Sequence, residues 1–556
     1  MKKLLIPAAF LCLAFTSVAQ SPVDAMSLSQ TELRGSARFT SMGGAFTALG
    51  ADLSAIGQNP AGIGAYRGSD IGITLGIDIN SDKTAWNGGS NSEDNTYCNV
   101  NNAGYVGTYL FGNNNENSFS WGFTFDRRFR FNRSYAGGLT PMETSLSNYI
   151  ASLTNGVNPY LLNKSDSYDP YDNYSSDAPD WMSVLYYNSG MINTETYMDN
   201  GQVVETDSYR GLWQYGGTDN DGNNIAPTAG QASFQVREHG HADEYNISFG
   251  GSVMNLLYWG IGVGIADLDF RRDYWYAESM ERALVPADPR GYELGNANVA
   301  DLHSYQQISG TGANFKIGLI LKPVNEFRIG LAVHTPTYYS LSSSSYGDTQ
   351  FNFSNGFTGS EETPWDDYDF KLNTPWKLMA GVAGVIGGRG IISLDYQYDA
   401  YNNMKLKWDN GDNMTYNNNN ISNYYKGTHT IRVGAEYRIT PQLSARAGFN
   451  YSTTACKNEF KDANLKPASG ADAMMVSTAG SNPSYTVSDD VRNITLGLGY
   501  RFSGFYLDFA YVNRHNTAKF NAFTRFVDYD GEWSTAPTAK LTHNSSQLVF
   551  TVGYRF

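Results

Sequence analysis

The chain has 556 residues, of which 41% are hydrophobic and 14% aromatic, and its formal net charge at pH 7 is −15. This negative charge argues against nucleic acid as a partner, because surfaces that bind nucleic acid are positively charged. After the first 19 residues no run of about 18 apolar residues occurs, which excludes a protein that crosses the inner membrane with helices.

Residues 1–19 predict a secretory signal peptide. Met1–Lys3 carries positive charge, Leu4–Phe15 is mainly apolar, and Ser17–Ala19 is a small-x-small cleavage site. We therefore expect the mature chain to begin near Gln20 and to leave the cytoplasm.

Residues 20–68 do not have the pattern of a strand. Small residues dominate this segment, which allows its backbone to pass close to other backbone. The motif Asn59, Pro60, Ala61, Gly62 predicts a turn at its centre. We interpret the segment as a compact hatch inside a barrel. The alternative is a short periplasmic tail, which would be more polar.

Residues 69–556 contain recurring segments in which apolar and polar residues alternate, and this pattern predicts fourteen β-strands. The last of them, Leu548–Phe556, alternates perfectly and finishes on an aromatic residue. The predicted strands are 69–80, 100–112, 118–131, 241–252, 257–270, 306–322, 326–340, 371–386, 389–404, 427–440, 442–455, 489–502, 504–515 and 544–556.

The connections between these strands alternate between short and long. An outer-membrane barrel has short periplasmic turns, long outer loops and an even number of strands. The sequence thus predicts an all-β fold, a 14-stranded antiparallel transmembrane β-barrel in the bacterial outer membrane with both termini on the periplasmic side. A soluble sandwich or propeller is the alternative, but a propeller would show a repeat of about 40 residues and none is visible.

The longest predicted outer loop, 132–240, contains two candidate amphipathic helices. We expect the first to start at Thr140–Glu143 and the second at Asp177–Asp180. Their apolar residues are candidate ligand contacts: Leu146, Tyr149, Ile150, Trp181, Met182, Leu185 and Tyr186. These faces could form an apolar landing site for a hydrophobic solute, or they could pack on each other to order the loop.

Charged residues fall on the predicted inward faces of the strands, and we take Arg328, Arg432 and Arg446 as the main lumen cations. A basic group beside an apolar pocket would suit a carboxylate head group. The alternative, which we favour for any single residue, is that these charges pair across the lumen and hold the hatch. Arg555, near the periplasmic mouth, is expected to contact the hatch.

Sequence motifs for catalysis or for a cofactor are weak. No Gly-x-Ser-x-Gly elbow occurs, so we predict that the protein is not an enzyme and needs no cofactor. His239 and His241 could ligate a metal or haem iron, although alternating histidines of this kind are more often incidental. The acidic run 219–223 could begin a calcium loop, but Asn224 stands where that loop requires glycine and no glutamate closes it. Cys98 and Cys456 could form a disulfide, but the sequence does not settle their pairing.

The run Gly35–Tyr66, with its Met-Gly-Gly-Ala-Phe-Thr-Ala stretch and the Asn59–Gly62 motif, resembles the N-terminal hatch of the FadL/TodX outer-membrane transporters. The resemblance continues weakly through Phe327–Leu331, Gln442–Phe449 and the terminal strand. It implies passive diffusion of long-chain fatty acids or aromatic hydrocarbons through a plugged fourteen-stranded barrel, with a hydrophobic small molecule and outer-membrane lipid as partners and a monomer as the assembly.

The same resemblance leaves a second role open. Some members of the family are labelled haem receptors and others serve protein secretion. The alternative is therefore an outer-membrane binding or assembly protein that docks haem or secreted proteins through its loops.

Overall fold

A computed structural model of the chain describes residues 20–112, 115–165, 167–172, 178–200, 202–218, 224–287, 291–463, 475–478 and 480–556. The predicted signal peptide and the acidic run 219–223 lie outside these ranges. Of the helices in the described ranges, none has the length and apolar character needed to span a membrane.

Within the described ranges, fourteen antiparallel strands form one closed sheet, which confirms the predicted barrel. They are β1 Asp70–Trp86, β2 Gly89–Phe111, β3 Asn117–Arg130, β4 Ala229–Val253, β5 Leu257–Pro286, β6 Tyr292–Val324, β7 Phe327–His334, β8 Lys377–Ile386, β9 Gly390–Asp399, β10 Thr428–Arg438, β11 Leu443–Ser452, β12 Tyr485–Phe502, β13 Phe505–Asn521 and β14 Thr538–Arg555. Each strand pairs with the next one, and β14 pairs with β1 to close the sheet.

Three strands continue beyond a break in the sheet. Arg133–Leu139 prolongs β3, Tyr338–Phe353 prolongs β7, and Asp366–Asn373 precedes β8. Arg133–Leu139 pairs with β4. Tyr338–Phe353 pairs with β6 on one side and with Asp366–Asn373 on the other. They raise the wall of the barrel above the level at which the shorter strands end.

Side chains alternate between the two faces of the sheet as predicted. Trp121 and Phe550 point outward and are 49% and 44% exposed, whereas Ser120 and Val549 point inward and are buried. Outward aliphatic and aromatic residues of this kind recur on all fourteen strands, and we call them the apolar belt. Such a belt, with a polar interior, is the surface that a barrel presents to lipid.

Several strands are longer than predicted. The range 81–99, predicted as a loop, is the continuous hairpin of β1 and β2, and most of 271–305 belongs to β5 and β6. Beyond the apolar belt both faces of these strands carry polar residues, so the alternation that identifies a strand in the sequence is lost there.

An outer layer covers the end of the barrel that carries the long connections. Its helices are Leu146–Thr154, Trp181–Asn188, Thr415–Tyr424 and Asn458–Lys461. Its hairpins are Ile192–Asp199 with Gln202–Gly211, Gly217–Thr218 with Asn224–Ile225, and Phe526–Val527 with Trp533–Ser534. In addition, Thr358–Glu362 pairs with the prolonged β7. Short helical turns occur at Pro159–Leu162 and Tyr401–Asn403, and Lys405–Trp408 pairs with Asp366–Asn373.

The two predicted helices of the long loop exist, but the predicted start of the first one is wrong. This helix begins at Leu146 with Ser145 as its N-cap, not at Thr140–Glu143. The second helix begins at Trp181, where the Asp180 side chain accepts from the backbone N–H of Met182.

The N-terminal segment contains three short helices, Pro22–Leu28, Ala37–Ser41 and Leu53–Gln58, and a 3₁₀ turn at Pro60–Ala65. It runs through the barrel from one end to the other. The carbonyl of Gln20 accepts from Asn417 of the outer layer, whereas Ser69 exchanges two backbone hydrogen bonds with Phe556 at the end that carries the short turns. The first barrel strand begins and the last one ends at the short-turn end, as predicted. Gln20, in contrast, lies at the opposite end.

Candidate functional site

The N-terminal segment is held in the lumen by side chains from many strands. Arg328 of β7 donates to the carbonyl of Leu49 at 2.9 Å, and Asp395 of β9 accepts from the backbone N–H of Thr47 at 2.7 Å. Further contacts are Arg34 with Asp78 of β1, Ser118 of β3 with Gly64, Lys316 of β6 with Gly57, His334 of β7 with Gln58, Arg38 with Glu436 of β10, Thr495 of β12 with Ser41, Glu32 with Arg514 of β13, and Ala37 with Thr551 of β14.

Glycines on the inward faces of the strands allow the segment to approach the wall. A Cβ atom on Gly330 of β7 would lie 2.0 Å from the carbonyl oxygen of Thr47, and one on Gly260 of β5 would lie 2.2 Å from that of Pro60. Backbone therefore packs directly on backbone at these two points, and no larger residue fits without displacement.

The predicted hatch motif forms the turn against which this packing occurs. Asn59 is fully buried, its amide nitrogen donates to the carbonyl of Thr47 at 2.6 Å, and its side-chain oxygen accepts from the backbone N–H of Ala61 at 3.0 Å. Pro60, Ala61 and Gly62 open the 3₁₀ turn and are buried with it. The motif thus fixes the lower part of the segment against β5, β6 and β7.

The predicted lumen charges pair mainly with protein groups. Arg446 is buried and bonds Glu436 and Asp508, both at 2.6 Å. Arg555 donates to the carbonyl of Ala51 at 3.0 Å, as predicted, and also bonds Asp70. These contacts agree with the interpretation in which inward charges hold the segment.

Arg432 differs from the other predicted cations. One guanidinium nitrogen donates to Gln397 at 2.6 Å, while the buried Nη1 has no acceptor among the described residues. The side chain lines a cavity of about 190 Å³ that is also lined by Arg128 of β3 and Lys377 of β8. Acidic side chains at the same cavity include Asp126 and Asp399.

The cavity lies above the lower part of the N-terminal segment and below the outer layer. Its lining includes Thr31 and Leu33 of the segment and Thr454 and Cys456 at the start of an outer connection. Charged and polar side chains make up most of this lining, so the cavity is not an apolar pocket of the kind that an acyl chain would favour. The site is a polar, cation-lined chamber.

Residues 272–523 match the family model described as outer membrane protein transport protein (OMPP1/FadL/TodX). Over these residues the chain is similar to the FadL/TodX family. The match extends from the outer part of β5 to the end of β13, and the family is one of transport proteins rather than enzymes. The barrel is accordingly an outer-membrane protein.

Solved structures of similar fold include a FadL homologue from Pseudomonas aeruginosa, with 14% identity, 95% of this chain and 99% of that chain covered, and a TM-score of 0.48. The Pseudomonas putida toluene transporter TodX has 13% identity, coverage of 94% and 99%, and a TM-score of 0.46. The Ralstonia pickettii toluene transporter TbuX has 14% identity, coverage of 94% and 99%, and a TM-score of 0.43. No curated protein matches the chain in sequence.

The predicted ligand contacts of the barrel lie inside the outer layer. Leu146, Tyr149, Ile150, Met182, Leu185 and Tyr186 are buried in one hydrophobic cluster, and Trp181 is partly buried with its ring edge-on to Tyr171. These side chains order the long loop by packing on each other. Their contact with a ligand stays a prediction and would require this layer to open.

A buried carboxylate attaches the first of these helices to the wall. Glu278, in the part of β5 above the apolar belt, accepts from the backbone N–H of Leu146 at 2.9 Å, from Tyr276 at 2.8 Å and from the hydroxyl of Ser145. Burial raises the pKa of Glu278 to about 7. The helix start is therefore tied to β5 by a carboxyl group that changes charge near neutral pH.

The two histidines singled out in the sequence lie on the outer wall of β4. Gly240 separates them with a φ of +123°, and His241 lies 3.3 Å from Asp267. Among the residues that the structure describes, no group of histidine, cysteine and acidic side chains has the arrangement to hold a metal ion. Cys98 and Cys456 are both free thiols.

Sequence reasoning missed Arg128 and Lys377. Both belong to predicted strands, and Lys377 alternates with the outward Leu378, which is a usable signal for an inward position. The signal was weak because each residue lies near the outer limit of the apolar belt, where the alternation begins to fade.

Proposed function

We propose that the barrel is a passive channel that takes up hydrophobic small molecules through the outer membrane. The observation that carries the proposal is the N-terminal segment inside the lumen, with a chamber of about 190 Å³ above it. The match to a family model of outer-membrane transport proteins supports it. We infer that residues 20–68 act as a hatch. Because the segment fills the barrel below the chamber, a solute can pass only when part of the segment moves.

The chamber favours ligands that carry an acidic group, such as long-chain fatty acids, over neutral aromatic hydrocarbons. Arg432 offers a buried nitrogen that has no acceptor among the described residues, and Arg128 and Lys377 line the same space. Guanidinium and ammonium groups form charge-assisted hydrogen bonds to carboxylates, which are stronger than neutral ones. An acidic head group would thus be held above the hatch before passage.

The test compares uptake of radiolabelled oleate and toluene by a deletion strain that carries either the wild-type gene or variants. Lys377→Gln combined with Arg432→Gln is expected to reduce oleate uptake about tenfold and to leave toluene uptake unchanged. Lys405→Gln is the matched control, because Lys405 is exposed and lies outside the chamber lining. Equal oleate uptake by wild type and the deletion strain would refute the transport role. Equal loss of both solutes would refute only the preference for an acidic group.

We further infer a monomer whose apolar belt contacts outer-membrane lipid, without enzymatic activity. Mass spectrometry of the purified barrel distinguishes the channel from a binding or assembly protein. A retained fatty acid supports the channel. A stoichiometric protein or haem partner, with no lipid in the lumen, would favour the alternative role.

A further inference from the structure

A group of aromatic side chains lies on the outside of the barrel wall, above the apolar belt. We define the aromatic wall as Trp275 of β5, His303 and Tyr305 of β6, Tyr346 of the prolonged β7, and Trp365 just before Asp366–Asn373. The rings form a continuous series, with centroid distances of 4.9 Å from Trp275 to His303, 5.7 Å from Tyr305 to Tyr346 and 4.6 Å from Tyr346 to Trp365.

The aromatic wall faces away from the lumen. Trp275 points to the same face of β5 as Ile265, which belongs to the apolar belt. The neighbouring Tyr274 and Tyr276 are buried on the inward face. Trp365 is 56% exposed. These rings are therefore accessible from the space around the barrel and not from the chamber.

The height of the aromatic wall excludes the acyl chains of the membrane as its contact. Ile265 is the last apolar outward residue of β5 before the charged outward residues Asp267, Asp269, Arg271 and Asp273, and Trp275 follows ten positions after it. At about 3.3 Å per residue this is roughly 33 Å along the strand. A strand tilt of about 40° converts it to a height of about 25 Å above the belt. An interfacial aromatic girdle would lie directly at the edge of the belt.

The groups beside the rings are those that recognise hydroxyl-rich ligands. Asp348 bonds the Nδ1 of His303 at 2.8 Å, and the guanidinium of Arg237 lies over the ring of Trp275 at 5.4 Å. A shallow pocket of about 250 Å³ adjoins Tyr305 and is lined by amide, hydroxyl and carboxylate groups, among them those of Gln307, Ser342, Ser344, Asp367 and Asp369. Carboxylates, amides and hydroxyls can accept from and donate to sugar hydroxyls, while exposed rings pack against the apolar faces of sugar rings.

We propose that the aromatic wall and its adjoining pocket bind saccharide, and that the occupant is the sugar portion of the glycolipid in the outer leaflet around the barrel. Height selects this source, because the sugars of a membrane-anchored glycolipid extend outward from the same belt that the acyl chains contact. The wall would then fix the barrel in its lipid surroundings while the lumen carries solute.

The test uses the full-length barrel in nanodiscs that contain lipopolysaccharide with complete core sugars or with lipid A alone. Native mass spectrometry counts the glycolipids that remain bound. Trp365→Ala and Tyr346→Ala are expected to weaken the sugar-dependent retention about tenfold each, which corresponds to about 1.4 kcal/mol. Retention of lipid A should not change.

Tyr160→Ala is the control, because Tyr160 is a 61% exposed aromatic residue in a different part of the outer layer. Unchanged heat-modifiable migration on gels shows that each variant is folded. The proposal is overturned if complete core sugars and lipid A alone are retained equally by wild type, or if Trp365→Ala behaves like Tyr160→Ala. Equally tight binding of the free core oligosaccharide would overturn the membrane-anchored source.

Discussion

Gly330→Ala is expected to loosen the N-terminal segment without disturbing the barrel. The new Cβ atom would lie 2.0 Å from the carbonyl oxygen of Thr47, whereas side-chain carbons essentially never approach closer than 3.0 Å. Thr47 must therefore retreat by about 1 Å. The same carbonyl accepts from Asn59, so the displacement also stretches a buried hydrogen bond.

The expected loss of free energy follows from these two contacts. Overpacking of a well-filled interior costs about 1–3 kcal/mol, and a weakened buried hydrogen bond about 1 kcal/mol. We expect the free energy of local opening of the segment to fall by about 2 kcal/mol, which corresponds to faster amide exchange by a factor of about 30.

Hydrogen–deuterium exchange of the purified barrel measures this change at residues 43–62. Gly384→Ala in β8 is the matched control, since the nearest atom to its new Cβ would be 3.9 Å away. Equal protection of the segment in the two variants would refute the reasoning, because it would show that the wall rather than the segment absorbs the clash.

Two further predictions concern buried charges. Because burial holds the pKa of Glu278 near 7 against 4.5 in an exposed carboxyl, the outer layer should lose about 3 kcal/mol of stability as the pH rises from 4.5 to 7. Glu278→Gln should abolish this loss, and amide exchange of Leu146–Thr154 at pH 5 and pH 8 measures it; unaltered pH dependence in the variant would contradict the assignment. Arg446→Met leaves Asp508 buried without its cation, and urea unfolding should show a loss of about 3–5 kcal/mol. The exposed Arg438→Met should change stability by less than about 0.5 kcal/mol, and equal effects of the two variants would argue against the ion pair.

The sequence allowed the barrel to be predicted wherever one face of a strand meets lipid. All fourteen strands were located because apolar residues such as Trp121 and Phe550 alternate with small or polar inward residues. The outer ends of β1, β2, β5 and β6 were not predictable, because above the apolar belt neither face of these strands meets a single kind of environment such as lipid. Strand length there depends on pairing with a neighbour, which a single sequence does not reveal.

The site was only partly predictable. The turn at Asn59 and the contact of Arg555 with the N-terminal segment followed from the residue types of the motif and from position near the barrel mouth. The chamber did not, because it depends on which inward cations find a partner: Arg446 bonds two carboxylates from nearby strands, whereas Arg432 donates to the neutral side chain of Gln397. Such partners are distant in the sequence and become adjacent only when the sheet closes.

The pairing of β14 with β1 also constrains the order in which the barrel forms. Asp70 and Arg555 bond each other across 485 positions of the chain, so this seam has nearly the largest loop-closure cost in the molecule. The N-terminal segment contacts β14 through Thr551 and Arg555 and β1 through Asp78. It therefore bridges both edges of the still open sheet and can serve as the template on which the two edges meet, so that the segment is enclosed during assembly rather than threaded in afterwards.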